Sequence, residues 1–253
     1  GCRLNRVDAQ ALCARLAAAR PVAFVAWDDD ADLYVVNGCT VTARADRECR
    51  RLARQAKRRH PGSRVVVVGC GAQAQPEAFS AVAEIDGVIG CADRDDVAAW
   101  LPRVLAGERV VAAGTDFPRT LDAPATAAHA GRSRAFVKVQ DGCDLRCAYC
   151  LVWRARGPAR SRAAGDVIAQ LAALHAAGFR EVVLGGVHLG AWGRDLPRPD
   201  FPHAARPAGG PAGGAPAGGP SPPSPPPCPT FSPRRPPPSR ACACGWAACT
   251  PTS

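Results

Sequence analysis

The sequence predicts an α/β protein: a parallel-sheet domain, then the opening of a β/α barrel, then a Pro- and Gly-rich tail expected to be disordered. Three observations predict it. Short, continuous apolar runs such as Val65-Val66-Val67-Val68 alternate with longer stretches of helical spacing. That is the pattern of buried parallel strands between covering helices. The runs end on glycine-containing turns, among them Gly69-Cys70-Gly71 and Gly185-Gly186. Finally, all hydrophobic periodicity stops after Leu196.

The elements follow in order. Asp8 to Ala19 has helical spacing with Leu12 and Leu16 on one face. Asp32 to Asn37 is a buried strand, and Arg44 to His60 a strongly basic helix stopped by Pro61-Gly62. The strand at Val65–Val68 follows, then a helix over Gln75 to Ile85, a short strand at Val88-Ile89-Gly90 and a helix over Val97 to Ala106. Residues 1–111 are thus one domain, and 112–132, poor in periodicity, a linker. Residues 133–196 begin a second unit: the strand Phe136-Val137-Lys138-Val139-Gln140, a cysteine loop, a helix over Asp166 to Ala177 closed by Gly178, and the strand Glu181-Val182-Val183-Leu184. Strand, loop, helix and strand in this order open a β/α barrel.

Residues 197–253 hold 18 of the 25 prolines, with runs of Gly, Ser and Ala. Such a segment buries too little apolar surface to offset its chain entropy, which predicts disorder or a frameshifted tail. The chain has no Met and opens on Gly1-Cys2-Arg3-Leu4-Asn5. It therefore reads as a fragment lacking its first strand.

The net charge of +10 is almost all Arg, since Lys57 and Lys138 are the only lysines. A positive surface favours polyanions such as RNA, with a solvated basic surface as the plain alternative. Thirteen cysteines, with no secretory signal and no apolar run of membrane length, favour metal binding over disulfides and place the chain in a reducing cytoplasm without membrane partners.

Cys143-Asp144-Leu145-Arg146-Cys147-Ala148-Tyr149-Cys150 spaces three thiols as Cys-x-x-x-Cys-x-x-Cys directly after a strand. Ordinary 4Fe–4S clusters take four cysteines; three leave one iron open for a substrate. S-adenosylmethionine can chelate that iron and be cleaved by a cluster electron to methionine and a 5′-deoxyadenosyl radical. A zinc knuckle is the alternative, but no fourth Cys or His follows at finger spacing. Tyr149 is a candidate contact to the adenine, and Gly185 and Gly186 would let backbone approach the methionine amino group.

Cys2, Cys39 and Cys70 form a second set. The last two stand just past strands, in Asn-Gly-Cys-Thr and Val-Gly-Cys-Gly. Parallel strands present their ends along one edge, so these loops can converge there. Three thiolates there make another possible cluster site, and burial as small apolar residues is the alternative for each. Cys13, Cys49 and Cys91 are read as structural.

Taken together, the three N-terminal cysteine motifs, Val-Gln-Asp-Gly-Cys-Asp-Leu-Arg-Cys-Ala-Tyr-Cys, Arg156-Gly157, Ser161-Arg162, Leu184 to Gly190 and Gly193 to Leu196 resemble the methylthiotransferases of the radical S-adenosylmethionine superfamily. The match covers residues 1–196. Gly-Cys-Arg-Leu-Asn is most similar to the branch that modifies N6-threonylcarbamoyladenosine 37 of tRNA; the isopentenyladenosine and ribosomal-protein branches differ at Arg3-Leu4. The resemblance implies two 4Fe–4S clusters, a radical one on Cys143, Cys147 and Cys150 and an auxiliary one on Cys2, Cys39 and Cys70 that handles sulfur. It further implies S-adenosyl-L-methionine, a tRNA partner and an electron donor such as a flavodoxin-type reductant. Two features depart from the family: Trp153 stands where Pro is usual, and neither later barrel strands nor a C-terminal RNA-binding barrel is evident. The expectation is that this chain alone does not complete the reaction.

Overall fold

The computed structural model describes residues 2–40, 42–121 and 134–197, together with the backbone of the strand at 246–251. Its elements in chain order are α1 (Arg3–Ala19), β1 (Val22–Val25), β2 (Leu33–Gly38), α2 (Ala43–Arg59), β3 (Arg64–Gly69), α3 (Cys70–Ala74), α4 (Pro76–Ser80), β4 (Gly87–Ile89), α5 (Val97–Leu105) and β5 (Val110–Ala112). Then come β6 (Arg134–Lys138), β7 (Gln140–Asp141), α6 (Val152–Arg156), β8 (Arg160–Ser161), α7 (Ala164–Ala176), β9 (Glu181–Gly185) and β10 (Trp246–Pro251).

The valine run works as a central strand because both its faces are covered. β2, β3, β4 and β5 pair in parallel, in that order. Alternate residues enter opposite cores, as a two-residue side-chain period requires. Tyr34, Val36, Val65 and Val67 pack with Cys49, Leu52, Ala53 and Ala56 of α2. Leu33, Val35, Val66 and Val68 pack with Leu12 and Leu16 of α1 and with Trp100, Leu101 and Val104 of α5. A separate parallel pair, β6 with β9, backs onto Val167 and Leu174 of α7. The α/β class and the barrel-like opening are as expected.

Several boundaries differ. α1 begins five residues earlier than expected, because Cys2 caps it: the Asn5 N–H donates to the Cys2 Sγ at 3.4 Å. The helix expected over Gln75 to Ile85 is only α4, started by Pro76 at its first turn. Phe79 within it and Val82 and Ile85 beyond it still reach the core, the last two through successive turns that satisfy the same apolar spacing without a helix. β1 and β5 were missed, being short and, in β1, half-exposed. In the expected linker, Arg160 lies over the Phe117 ring at 5.4 Å and donates to the Pro118 carbonyl at 3.0 Å. Residues 122–132 of that linker lie outside the described residues.

The tail expectation needs one correction. Trp246–Pro251 forms β10, antiparallel to both β1 and β2 and inserted between them. Trp246-Ala247-Ala248-Cys249-Thr250 is a proline-free stretch after the proline runs, so its N–H groups are available to a ladder. The rest of the expected tail, 198–245 and 252–253, lies outside the described residues.

Candidate functional site: two cysteine clusters joined by one helix

β2 and β3 end level with each other, in the register Gly38↔Gly69, so Cys39 and Cys70 leave the sheet side by side. α1 brings Cys2 to the same edge. The motif asparagines hold this arrangement. Asn5 Nδ2 donates to Asn37 Oδ1 at 2.9 Å and to the Gly38 carbonyl at 3.2 Å, and Asn37 Nδ2 returns a bond to the Asn5 carbonyl at 2.8 Å. Gly69 completes the lock. Its φ is +97°, and a Cβ there would stand 2.5 Å from Asn37 Oδ1 and 2.9 Å from the Gly38 oxygen. Gly69→Ala is therefore expected to cost about 3 kcal/mol or more, from backbone strain and overpacking together. Gly165→Ala, in α7 with nothing within 4 Å of the new methyl, should be neutral or slightly stabilising. Urea unfolding midpoints of the two variants check this; equal midpoints would contradict it.

The three expected thiols do meet in part. The Cys2 thiol is bonded to Cys39, which raises its pKa well above the ordinary thiol range, and burial adds to the rise. Cys70 has a different thiol neighbour: Cys91 Sγ donates to Cys70 Sγ at 3.9 Å. This bond brings Cys70 down to about 7 against the effect of burial, with the Arg156 charge assisting, and it raises Cys91 well above the usual value. Reading Cys91 as merely structural missed this neighbour. The register was the available signal: Val68 pairs with Ile89, and each cysteine stands two residues beyond. Cys49, by contrast, is buried in the core as expected.

The second cysteine loop leaves β7. Gly142, at φ +74°, lets the chain turn against the Pro158 carbonyl where no Cβ would fit. The Cys143 N–H donates to the Gly157 carbonyl at 3.0 Å, and the Cys150 N–H to the Cys147 carbonyl at 3.0 Å. Cys143, Cys147 and Cys150 are free, half-buried thiols. Tyr149 is 91% exposed, so the structure gives it no packing role. Gly185 closes β9. A Cβ at Gly186 would lie 2.9 Å from both Cβ and Oε1 of Gln140. That glutamine, unremarked in the sequence, is fully buried and ties the two loops together. It donates to the Gly142 carbonyl at 2.8 Å and accepts from the His188 N–H at 2.7 Å. Similarly, Asp195 accepts from the Ser161 N–H at 2.7 Å and its hydroxyl at 2.6 Å.

Between the two cysteine groups lies a buried ionic network that no sequence motif announced. Asp8 of α1 meets Lys138 at 2.6 Å, Arg156 at 2.8 Å and Arg94 at 3.2 Å. Asp141 meets Lys138 at 2.7 Å and Arg156 at 2.9 Å. Burial alone would raise both carboxyls; the surrounding cations overturn that and hold both well below the carboxylate range. Arg156 ends α6, next to the Gly157 that anchors Cys143, and its charge is felt at Cys2, Cys70 and Cys91. The end of this short helix therefore pairs with the helix that Cys2 caps and, through the next residue, holds Cys143.

A cleft of about 600 Å³ opens beside them, lined in part by Gln73, Phe117, Cys143, Arg146 and Trp153. Arg146 lies 5.6 Å from the Trp153 ring centroid, a cation–π contact at the position where the family resemblance anticipated Pro.

Residues 1–90 match the family described as Uncharacterized protein family UPF0004, and residues 137–204 match the Radical SAM superfamily. The threonylcarbamoyladenosine tRNA methylthiotransferase MtaB of Bacillus subtilis is 32% identical over 206 residues, 79% of this chain and 45% of the relative. The MtaB of Aquifex aeolicus is 36% identical over 200 residues, 77% and 48%. A putative methylthiotransferase of Helicobacter pylori is 31% identical over 195 residues, 77% and 45%. The chain thus carries a Radical SAM region behind a UPF0004 region and is similar across both to radical S-adenosylmethionine methylthiotransferases. It spans a little under half the length of these curated relatives.

Membership in the radical superfamily implies S-adenosylmethionine and a 4Fe–4S cluster. The donor chemistry fits: the second loop presents three thiols and no competing carboxylate bonded to them. Among the described residues no group of three or more Cys, His, Asp or Glu is close enough to hold a single metal ion. A cubane spreads its thiolates over several irons and needs a wider spacing than one ion does. Among the described residues no helix is long and apolar enough to cross a membrane.

Proposed function

We propose that this chain is part of a cytoplasmic tRNA methylthiotransferase that places a methylthio group on carbon 2 of N6-threonylcarbamoyladenosine 37, beside the anticodon. The observation that carries the reading is the end of α6: Arg156, its last residue, pairs at 2.8 Å with Asp8 of the helix that Cys2 caps, and the next residue, Gly157, accepts the Cys143 N–H. Such chemistry needs a radical-forming site and a sulfur-handling site close together. Cys143, Cys147 and Cys150 are proposed to hold the radical cluster, and Cys2, Cys39 and Cys70 an auxiliary one. When bound, the clusters and S-adenosylmethionine supply an electron, a carbon radical and a transferable methylated sulfur, which together can functionalise an unactivated C–H bond.

The chain's own residues do the rest. Gly186, having no side chain, lets Gln140 pack against it and hold the loop whose backbone is proposed to meet the methionine end of the cofactor. Tyr149, exposed beside Cys150, is available to the adenine. Arg156 places a buried positive charge beside thiolates. The electron donor is proposed to be a flavodoxin-type protein. The decisive experiment is nucleoside analysis of tRNA from a strain lacking the gene. Loss of the methylthio form of threonylcarbamoyladenosine supports the reading; loss of the isopentenyladenosine form, or unchanged tRNA, rejects it.

The tRNA surface proposed here is α2. Arg50, Arg54 and Lys57 all lie in the basic helix expected over Arg44 to His60. In the fold Arg50 lies 5.1 Å over the Phe79 ring, and Lys57 bonds Asp86 at 2.8 Å. These two support structure. Arg44, Arg47, Arg51, Arg54 and Arg58 follow helical spacing on an exposed face. Reversing Arg44, Arg47 and Arg58 to Glu should lower tRNA affinity and flatten its dependence on salt by about one unit of slope per lost phosphate contact. Filter binding across salt concentrations reads both; an unchanged slope would leave the face merely solvated.

A further inference from the structure

We infer that Gln140 is a positioning residue for the cofactor: it locks the loop 186–188 against the start of the cysteine loop. This rests on the proposals that the first loop receives S-adenosylmethionine and the second holds the radical cluster. The frame is the parallel pair β6 and β9, in which Lys138 stands opposite Gly185. The Val139 N–H donates to the Gly185 carbonyl at 2.9 Å, so the chain past β6 and the chain past β9 leave the same end of the pair. Gln140 is fully buried at this fork.

The fork requires a side-chain amide. Nε2 donates to the Asp141 carbonyl at 3.0 Å and to the Gly142 carbonyl at 2.8 Å, which uses both of its hydrogens on the cysteine loop. Oε1 accepts the His188 N–H at 2.7 Å, from the other loop. Turning the amide over would set its oxygen against two carbonyls and its N–H groups against a third donor, so the partners fix its orientation. A carboxylate of the same length offers no donor, and an apolar side chain offers neither. Gly186 makes the fit close. A Cβ there would stand 2.9 Å from both Cβ and Oε1 of Gln140 and 3.3 Å from its carbonyl oxygen.

The grip falls next to the proposed chemistry. Gly142 directly precedes Cys143 and turns at φ +74° against the Pro158 carbonyl. Cys143 itself is held through its N–H by Gly157. On the other side, 186–188 hangs from the end of β9 and from Gln140. Without the amide the His188 N–H loses this partner, and the cofactor must order the loop as it binds. A loop ordered beforehand binds its ligand more tightly, by the entropy no longer lost on binding. Loss of the amide is thus expected to act on cofactor affinity and to leave the thiols in place.

The test uses the full chain, reconstituted anaerobically with iron and sulfide, unsubstituted and as Gln140→Met, which keeps the length and removes the amide. Iron and sulfide content and the Kd of S-adenosylmethionine by equilibrium dialysis are measured on the loaded proteins. Deuterium uptake by the segment 186–190 is measured on the metal-free chains. The expected result is equal cluster content, binding weaker by about tenfold, the scale of one buried hydrogen bond left unmade, and faster uptake in 186–190. Unchanged affinity with equal clusters overturns the role. Weaker affinity with unchanged uptake overturns it too, because loop order is then not the cause. An unsubstituted chain that loads its cluster but binds no S-adenosylmethionine overturns the inference and leaves the cysteine assignment standing. An unsubstituted chain with no more iron than C143A/C147A/C150A overturns the radical-site reading itself. If Gln140→Met loads no cluster, Gln140→Glu decides, since it keeps the shape and the acceptor. A full cluster with weakened binding then supports the role; a full cluster with unchanged binding, or no cluster, rejects it.

Discussion

Replacing Cys143, Cys147 and Cys150 together with alanine should remove about four irons and four sulfides per chain from anaerobically reconstituted protein, the content of one 4Fe–4S cluster. Release of 5′-deoxyadenosine from S-adenosylmethionine should fall to the protein-free background, in whatever form of the protein shows it. The effect is expected to be all-or-none because the three thiols share one loop. That loop is held by the Cys143 bond to Gly157, the Asp144 carboxylate accepting from the Ala159 N–H and the turn at Cys147–Cys150, none of which uses a thiol. Nothing else in it offers a thiolate. The far-ultraviolet spectrum should stay unchanged, since all three thiols are only half-buried and lie outside the hydrophobic cores. Iron content equal to that of the unsubstituted chain would remove this loop from the radical site.

Asp8→Ala should be the most destabilising single substitution at the site. It strips the shared partner from Lys138, Arg94 and Arg156, whose side chains are 3–6% exposed, and leaves cations buried with too little opposing charge. Breaking a buried pair from one side typically costs about 3–5 kcal/mol. Part of the loss is a pH effect with a definite sign. The Asp8 and Asp141 carboxyls are held well below their ordinary value by these cations, which outweigh burial. Their contribution is therefore fully present above the unfolded carboxylate pKa of about 4 and lost as pH falls through the lower folded values. Urea unfolding of the unsubstituted chain should show stability falling below about pH 4, and Asp8→Asn should show a lower midpoint with a shallower fall. A midpoint and pH slope unchanged by Asp8→Asn would show that the network contributes nothing to folding.

The same network bears on the two expected segments. From sequence, residues 1–111 promised a self-sufficient unit. In the fold, Asp8 of that segment finds Lys138 and Arg156 in the next one, at 2.6 and 2.8 Å. A chain ended near residue 111 would keep the parallel strands β2, β3 and β4 but lose β10, the strand that β1 pairs with, and leave Asp8 with Arg94 alone of these partners.

The sequence by itself determined the parallel core of the sheet and the local spacing of the Cys143–Cys150 loop. Val65–Val68 can be satisfied only by apolar cover on both faces, and the Cys-x-x-x-Cys-x-x-Cys spacing is a local property of one loop. Turns, caps and periodicity are local too, so α2, α5 and α7 were legible to within a residue or two. What only the tertiary structure decided is whatever depends on residues far apart in the chain. Cys91 meets Cys70 because two strands share a register, and Gln140 joins two loops 48 residues apart in sequence. Asp8 is an ordinary polar residue of an amphipathic helix until the fold surrounds it with three buried cations. A charge buried beyond water's reach is tolerable only when its partners arrive together, and those partners come from three separate segments: β6, α6 and the turn before α5. No local pattern encodes such a meeting, because its energy exists only once the chain has closed around it.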